Sequence, residues 1–239
     1  IFSFVQEIEG LDFLGALKLL AERAGVTFRP PDSKLTSLKD RLYVLHEAAT
    51  SYYVVRLKEN RQAFTYFKER GLTDETIEAF RLGFAPDGWR TIGPALAPEG
   101  FTEAELTQAG LLVPPAGGEV NKSPYDRFRS RLMFPLADAA GRVIAFSGRI
   151  FGAGDDGHAA KYINSPETPL YDKSKFLYLY HRARQSIRRA DRCILVEGQM
   201  DALLSHQSGL DETVAVSGTA LTLDHLELIK RLSHNFIMA

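Results

Sequence analysis

Apolar residues in the first part of the chain recur at helical spacing. Ile1, Phe4, Val5 and Ile8 share one face and Gly10 ends the pattern; Leu14, Leu17, Leu20 and Ala21 follow the capping residue Asp12 and run to Gly25. Arg29-Pro30-Pro31-Asp32-Ser33 predicts a linker. From Ser37 to residue 70 the stripe Leu38, Leu42, Leu45, Ala49 and Tyr52 predicts a long helical region. It breaks near Asn60, resumes through Phe64 and Phe67, and stops at Gly71. Thr73 opens another short helix, and Thr102 with Glu105 has the capping-box spacing.

The period changes near residue 131. Arg131-Leu-Met-Phe-Pro-Leu136 and Arg142-Val-Ile-Ala-Phe-Ser147 read as strands joined by a turn at 138–141. Residues 152–175, rich in Gly, Asp, Pro and Lys, predict a long surface loop. From Cys193 the pattern becomes strand (193–196), helix (200–208), strand (213–217), helix after Thr222, and strand again from Asn235. That alternation implies a parallel sheet with right-handed crossovers. The fold class expected is therefore α+β: a helical and mixed first part, then the start of an α/β unit.

Composition changes this picture little. The 239 residues are 45% hydrophobic and 25% charged, ordinary for a globular protein. No apolar run reaches the roughly 18 residues that would mark a membrane span. The one cysteine, Cys193, excludes an internal disulfide and a Cys-rich zinc site, and a reduced cytoplasmic setting is the default. The six histidines lack metal-ligand spacing. The chain starts inside a helical pattern and stops in a strand-like run, so it reads as a piece of something longer.

Charge adds more. Residues 121–192 hold 14 Lys+Arg against 7 Asp+Glu, whereas 193–239 hold 2 against 6. A basic stretch ahead of an acidic one suits a polyanion track beside a metal site, and equally suits a solvated surface.

Glu197 follows the strand Cys193–Val196, where ligands collect at the carboxyl ends of parallel strands, and Asp201 lies one helical turn further. Two such carboxylates can hold Mg²⁺, although a helix start also favours acidic residues for its dipole. Gly218 and Thr219 close the second strand with a turn that can meet phosphate. Arg127, Arg129 and Arg131 alternate, which on a strand puts them on one face. Arg149, Lys161, Tyr162, Asn164 and Lys173 extend this basic, aromatic-bearing stretch, a combination suited to single-stranded nucleic acid. Internal pairing with Asp126, Glu167 and Asp172 is the competing use of the same charges.

These phrases together resemble the bacterial replicative DNA primase family. The residues carrying the likeness are Tyr125-Asp-Arg-Phe-Arg129, Arg131-Leu-Met-Phe-Pro135, Gly141-Arg-Val-Ile144, Phe146-Ser-Gly-Arg149, Lys161-Tyr-Ile-Asn-Ser-Pro-Glu-Thr168, Val196-Glu-Gly-Gln-Met-Asp201 and Gly218-Thr-Ala-Leu-Thr222, with Phe2-Ser-Phe-Val5 and Leu20-Ala-Glu-Arg-Ala-Gly25 near the start. The likeness covers essentially the whole chain in the family's order.

The resemblance implies a layout. Residues 1–28 end a zinc-binding domain whose Zn²⁺ ligands precede Ile1, 29–36 are a linker, 37–190 are the basic N-terminal subdomain of the RNA-polymerase core, and 191–239 are a truncated Toprim domain. It implies synthesis of short RNA primers by metal-dependent nucleotidyl transfer, with Mg²⁺ or Mn²⁺ at Glu197 and Asp201 and Glu197 catalytic. Arg127, Arg129, Arg149, Lys161, Tyr162, Asn164, Lys173, Gly218 and Thr219 are then the nucleic-acid and nucleotide residues. Implied partners are a single-stranded DNA template, ribonucleoside triphosphates, the RNA–DNA primer hybrid and, through a C-terminal domain outside this sequence, the replicative helicase. A monomer with no membrane contact is expected. The family's metal-binding Asp-x-Asp pair falls just past Ala239, so an inactive single-stranded-DNA-binding fragment is the alternative. Another Toprim enzyme, a topoisomerase or nuclease, would share the Glu197 motif but not the phrases of 125–168.

Overall fold

Helices begin where a side chain satisfies the first free backbone N–H groups. The computed structural model describes residues 1–11, 13–26, 38–115, 123–152, 160–218 and 220–239. Asp12, Ser37, Thr219 and the expected linker lie outside those residues.

Helix α1 (Phe2–Glu9) ends on Gly10 in the left-handed conformation, and α2 (Phe13–Arg23) follows. The break expected near Asn60 is a cap. Helix α3 (Leu38–Glu59) stops, and Asn60 Oδ1 accepts from Ala63 N at 3.0 Å to start α4 (Arg61–Glu69). Thr73 caps α5 (Asp74–Ala79). After α6 (Ile92–Leu96), Thr102 and Glu105 complete the capping box of α7 (Glu103–Gln108).

Among the described residues, β1 (Gly83–Ala85), β4 (Arg131–Ala137), β5 (Val143–Ile150) and β6 (Tyr162–Asn164) form an antiparallel sheet in the order β1-β4-β5-β6. The short strands β2 (Leu112–Val113) and β3 (Tyr125–Asp126) pair separately. Strand alternation gives the larger sheet two apolar faces. Met133 and Phe146 pack with Leu42, Leu45, Ala49 and Tyr53 of α3. A side chain on Gly83 would meet Tyr53 Cβ at 2.6 Å, so glycine permits the close approach of α3 to β1. Leu132, Phe134 and Leu136, all fully buried, face the other way. Burial of each contributes about 1.5–3 kcal/mol.

That second face packs on the parallel sheet. Strand β7 (Cys193–Val196) is central, flanked by β8 (Thr213–Ala215) and β9 (Phe236–Met238), with α9 (Gln199–Gln207) and α10 (Leu223–Lys230) as the connecting helices. Ile194, Val196, Met200, Leu203 and Ala215 share one core cluster with Leu132, Phe134 and Leu136. The two sheets are thus joined by continuous apolar packing.

Two expectations are corrected. No strand runs through 127–131: β3 ends at Asp126 and Ser130 takes a φ of 48°, so the chain turns and the three arginines are not aligned on one strand face. Nor is 152–175 loop throughout its described residues, since β6 pairs with β5 within it and Lys173–Lys175 form a short 3-10 turn. Alternation could not mark β6, which has only three residues, each half-buried. Helix α8 (Tyr180–Ala190) was not apparent in the sequence because only Ala183 and Ile187 are buried in an otherwise charged segment.

Among the described residues, no helix is long and apolar enough to cross a membrane.

Candidate active site and nucleic-acid face

Glu197 emerges at the carboxyl end of the central strand β7 and is exposed. Gly198 then serves as the N-cap of α9, with Asp201 in the first turn, where the helix dipole favours negative charge. Asp201 folds back over the strand end: its Oδ2 lies 2.8 Å from where a β-carbon on residue 198 would sit. Among the described residues neither carboxylate is paired with a cation. Buried Gln199 fixes this turn, donating from Nε2 to Ser147 Oγ of β5 at 2.9 Å.

The second strand end meets the first through backbone. Ser217, in a left-handed conformation at φ 57°, donates its N–H to Glu197 O at 3.1 Å. Asn164 Nδ2 donates to Ser217 O at 3.1 Å, bridging β6 to the parallel sheet. Arg127 donates from Nε and Nη2 to Asn164 O at 3.1 and 2.9 Å. Asn164 Oδ1 and Ser217 Oγ are buried with no hydrogen-bond partner among the described residues. Gly218 follows, exposed, at φ 78°.

Strand register assembles the facing wall. Ser147 pairs with Asn164 and Arg149 with Tyr162, so all four side chains share one face of β5–β6. Arg149 donates to Tyr66 Oη of α4, and its guanidinium sits 5.0 Å from the Tyr66 ring and 5.9 Å from that of Tyr162. Burial pushes the Tyr162 phenol above its ordinary pKa, Arg149 opposes this, and the negative charge of Asp201 adds to the rise.

The remaining predicted residues spread outward. The Arg129 guanidinium lies 4.1 Å over the Trp89 ring and 5.2 Å over that of Tyr125. Arg131 is buried and donates to Gly148 O at 3.0 Å and Ala160 O at 3.1 Å. Burial lowers its pKa, followed by the nearby charges of Arg129 and Arg127. Lys161 is exposed next to β6. Lys173 begins the short turn whose Ser174 carbonyl accepts from Thr222 Oγ1 at 2.7 Å, beside the start of α10. The competing internal pairing occurs at Asp172, which holds Lys175 at 2.9 Å.

Sequence reasoning missed Gln199, Ser147, Ser217, Tyr66 and Trp89. Gln199 carried a signal, as it lies between Glu197 and Asp201. The others belong to the site only through tertiary contacts.

Among the described residues no three His, Cys, Asp or Glu side chains cluster as metal ligands. What exists is a pair of exposed carboxylates. Their hard oxygens fit a divalent cation that keeps several waters and binds substrate phosphates besides one or two carboxylates.

A family model described as the N-terminal domain of the DNA primase catalytic core matches residues 52–184, and one for the Toprim domain matches residues 191–239. The Toprim match implies divalent-metal use in general. The chain is 40% identical over its full length to the DNA primase of Deinococcus radiodurans, and spans 40% of that relative. Among solved structures, the Aquifex aeolicus primase (zinc-binding and RNA polymerase domains) aligns over 99% of this chain and 56% of its own, at 30% identity and a TM-score of 0.76. The RNA polymerase domain of Mycobacterium tuberculosis primase, solved with a double-stranded DNA oligomer bearing a 6-nucleotide overhang, aligns over 83% of this chain and 63% of its own, at 33% identity and a TM-score of 0.76.

Proposed function

This chain belongs to the bacterial DNA primase catalytic-core family, and on that premise we propose that it is the central part of an enzyme that makes short RNA primers on single-stranded DNA by metal-dependent nucleotidyl transfer. One observation carries the reading: two carboxylates with no cation partner among the described residues stand at the end of β7, and the Gln199–Ser147 and Asn164–Ser217 hydrogen bonds tie that end to the sheet face bearing Ser147, Arg149, Tyr162 and Asn164. Acid for a cation and base for a polyanion meet at one seam.

The assigned layout is the end of a zinc-binding domain over 1–28, a linker over 29–36, the basic subdomain of the polymerase core over 37–190 and the Toprim portion from 191. The matches to the primase core and Toprim models support the last two.

Glu197 and Asp201 hold Mg²⁺ or Mn²⁺ in this reading, Glu197 being the catalytic group. A divalent ion there supplies charge neutralisation for a triphosphate and acidifies the attacking 3′-hydroxyl. The protein's part is then mainly positioning and charge stabilisation. Arg149, steadied by Tyr66, offers a fixed guanidinium to nucleotide phosphates. Arg127 and Asn164 hold the backbone of the rim, while Lys161, Lys173, Arg129, Gly218 and Thr219 extend the contact to template and primer hybrid. The DNA bound by the Mycobacterium relative supports a template with a single-stranded portion. The zinc-binding domain in the Aquifex structure's description supports Zn²⁺ in a segment outside this sequence. A helicase contact, a monomeric state and a replisome location complete the proposal.

The test is Glu197→Gln in the full-length protein. Ribonucleotide incorporation should fall by roughly a thousandfold or more, the scale of losing several kcal/mol of metal-assisted stabilisation. Binding of single-stranded DNA should persist, and a variant that primes normally would refute the assignment.

A further inference from the structure

Among the side chains that follow β7, one faces inward. Glu197 and Asp201 are exposed, whereas Gln199, midway between them in the chain, is 3% exposed. Its neighbours on α9, Met200, Ala202 and Leu203, are buried apolar residues. A primary amide placed among them costs free energy to desolvate unless it is hydrogen-bonded, and an apolar side chain of similar size would avoid that cost. Gln199 is bonded, but across the molecule: Nε2 donates at 2.9 Å to Oγ of Ser147, 52 residues away in the chain and itself fully buried. The bond runs from the acidic turn into the antiparallel sheet.

Both ends of this bond are constrained. Ser147 is paired with Phe134 of β4 on one side and with Asn164 of β6 on the other, so the strand that carries it is held along both edges. At the other end, an added β-carbon on Gly198 would lie 2.8 Å from Asp201 Oδ2, because the Asp201 carboxylate folds into that space. Glu197 is bonded directly to Gly198, so one turn sets the positions of both carboxylates. Rotation of this turn about the helix axis would move the Asp201 carboxylate off Gly198, and the bond to Ser147 opposes it. The far end of α9 is docked separately: Gln207 Oε1 accepts from Thr73 N, and its Nε2 donates to Gly71 O, each at 2.8 Å. At a rise of about 1.5 Å per residue the two glutamines are about 12 Å apart along the helix.

We infer that Gln199 is a positioning residue for the acidic pair: through Ser147 it fixes how Glu197 and Asp201 stand to one another, and hence how tightly they hold a divalent cation, whereas Gln207 only docks the helix. The inference rests on the metal site of the primase reading above and names the group behind that site which orients it. Partners that orient metal ligands without touching the ion typically account for about 10- to 100-fold in metal affinity or activity.

Gln199→Met and Gln207→Met keep the length of the side chain and delete its hydrogen bonds, so comparing them in the full-length protein separates positioning from docking. Mn²⁺ binding is measured from the electron paramagnetic resonance signal of the free ion, alongside the Mn²⁺ concentration that gives half-maximal primer synthesis. Gln199→Met should weaken Mn²⁺ binding by about 10- to 100-fold and raise the half-maximal concentration in step, with oligo-dT affinity unchanged. Ser147→Ala should reproduce the loss, and the double variant should add little to it, because both changes delete one bond. Gln207→Met should lower the thermal midpoint yet bind Mn²⁺ as wild type does. Should Gln199→Met fail to fold, Ser147→Ala, which removes a single oxygen, decides alone, and wild-type Mn²⁺ affinity in it overturns the inference. Unchanged Mn²⁺ affinity in Gln199→Met, or equal losses in Gln199→Met and Gln207→Met, overturns the positioning role and spares the primase reading. Mn²⁺ binding that Glu197→Gln does not weaken overturns the metal site and the inference with it.

Discussion

Two sets of arginines in this molecule use their charge differently. Arg41, Arg81, Arg142 and Arg192 each meet a carboxylate: Glu105 at 2.7 Å, Glu47 at 2.5 Å, Asp138 at 2.8 Å and Glu212 at 2.7 Å. Arg127, Arg129, Arg131 and Arg149 donate to backbone carbonyls or to a phenol. A carbonyl satisfies the hydrogen bond and fixes the side chain but leaves the positive charge uncompensated. Of the second set, Arg149 and Arg127 stand near the seam between the two sheets, where Glu197 and Asp201 have no cation partner among the described residues, whereas Arg129 and Arg131 lie further out. Charges neutralised within the chain serve the scaffold; those left over are available to ions and phosphates.

The largest expected contrast is functional. Arg149→Ala should lower kcat/KM for ribonucleotide incorporation by on the order of a hundredfold, the scale of removing one charge-stabilising donor. Arg142→Ala should change it less than about twofold, because that charge is already spent on Asp138. Arg127→Ala should reduce the slope of log affinity for oligo-dT against log salt by about 0.7, and Arg81→Ala should leave it alone. Equal losses for members of the two sets in steady-state and salt-titration measurements would dissolve the comparison.

Acid separates scaffold from seam at intermediate scale. His181 is held neutral, its pKa lowered to about 4 by burial and then by the neighbouring charge of Arg182. The folded state therefore takes up fewer protons than the unfolded chain, whose histidine titrates near 6.5. Stability from this group is complete above pH 6.5 and erodes as pH falls toward 4, by roughly 1–3 kcal/mol. Burial shifts His46, His206 and His225 the same way. His181→Gln should remove part of that slope in urea melts at stepped pH without altering oligo-dT affinity at pH 7.5.

The smallest effect is expected at a paired surface charge. Glu105 is lowered to about 2 by its hydrogen bonds to Arg41 and Thr102. Its contribution is present above pH 4.5 and is lost as pH falls through about 2. Solvent screening limits the ion pair to under about 1 kcal/mol, so a double-mutant cycle of Arg41→Ala and Glu105→Ala should return a coupling below that value.

Much of the fold was legible because it rests on local rules. The break near Asn60, the caps at Thr73, Thr102 and Thr222 and the strand–helix alternation after Cys193 followed from residue type and spacing. Strand β6 and helix α8 were hidden, the first by its shortness and the second by a charged sequence with two buried positions. At the site, Glu197 and Asp201 were legible because a strand end and a helix start fix them together. Expecting Arg127, Arg129 and Arg131 on one strand face failed because Ser130 takes a left-handed turn that no alternation rule foresees.

The sequence by itself determined the elements, the acidic pair at the end of β7 and the excess of positive charge before it, all of which depend on neighbours along the chain. Tertiary structure decided which of those charges remain unpaired. Whether an arginine meets a carboxylate or a carbonyl depends on strands far apart in sequence: Arg149 finds Tyr66, 83 residues away, and Asn164 reaches Ser217 across 53. Hydrogen bonds and ion pairs act over a few ångströms, so the partners of a side chain, and the charge it has left for a ligand, are settled only once the sheets have packed.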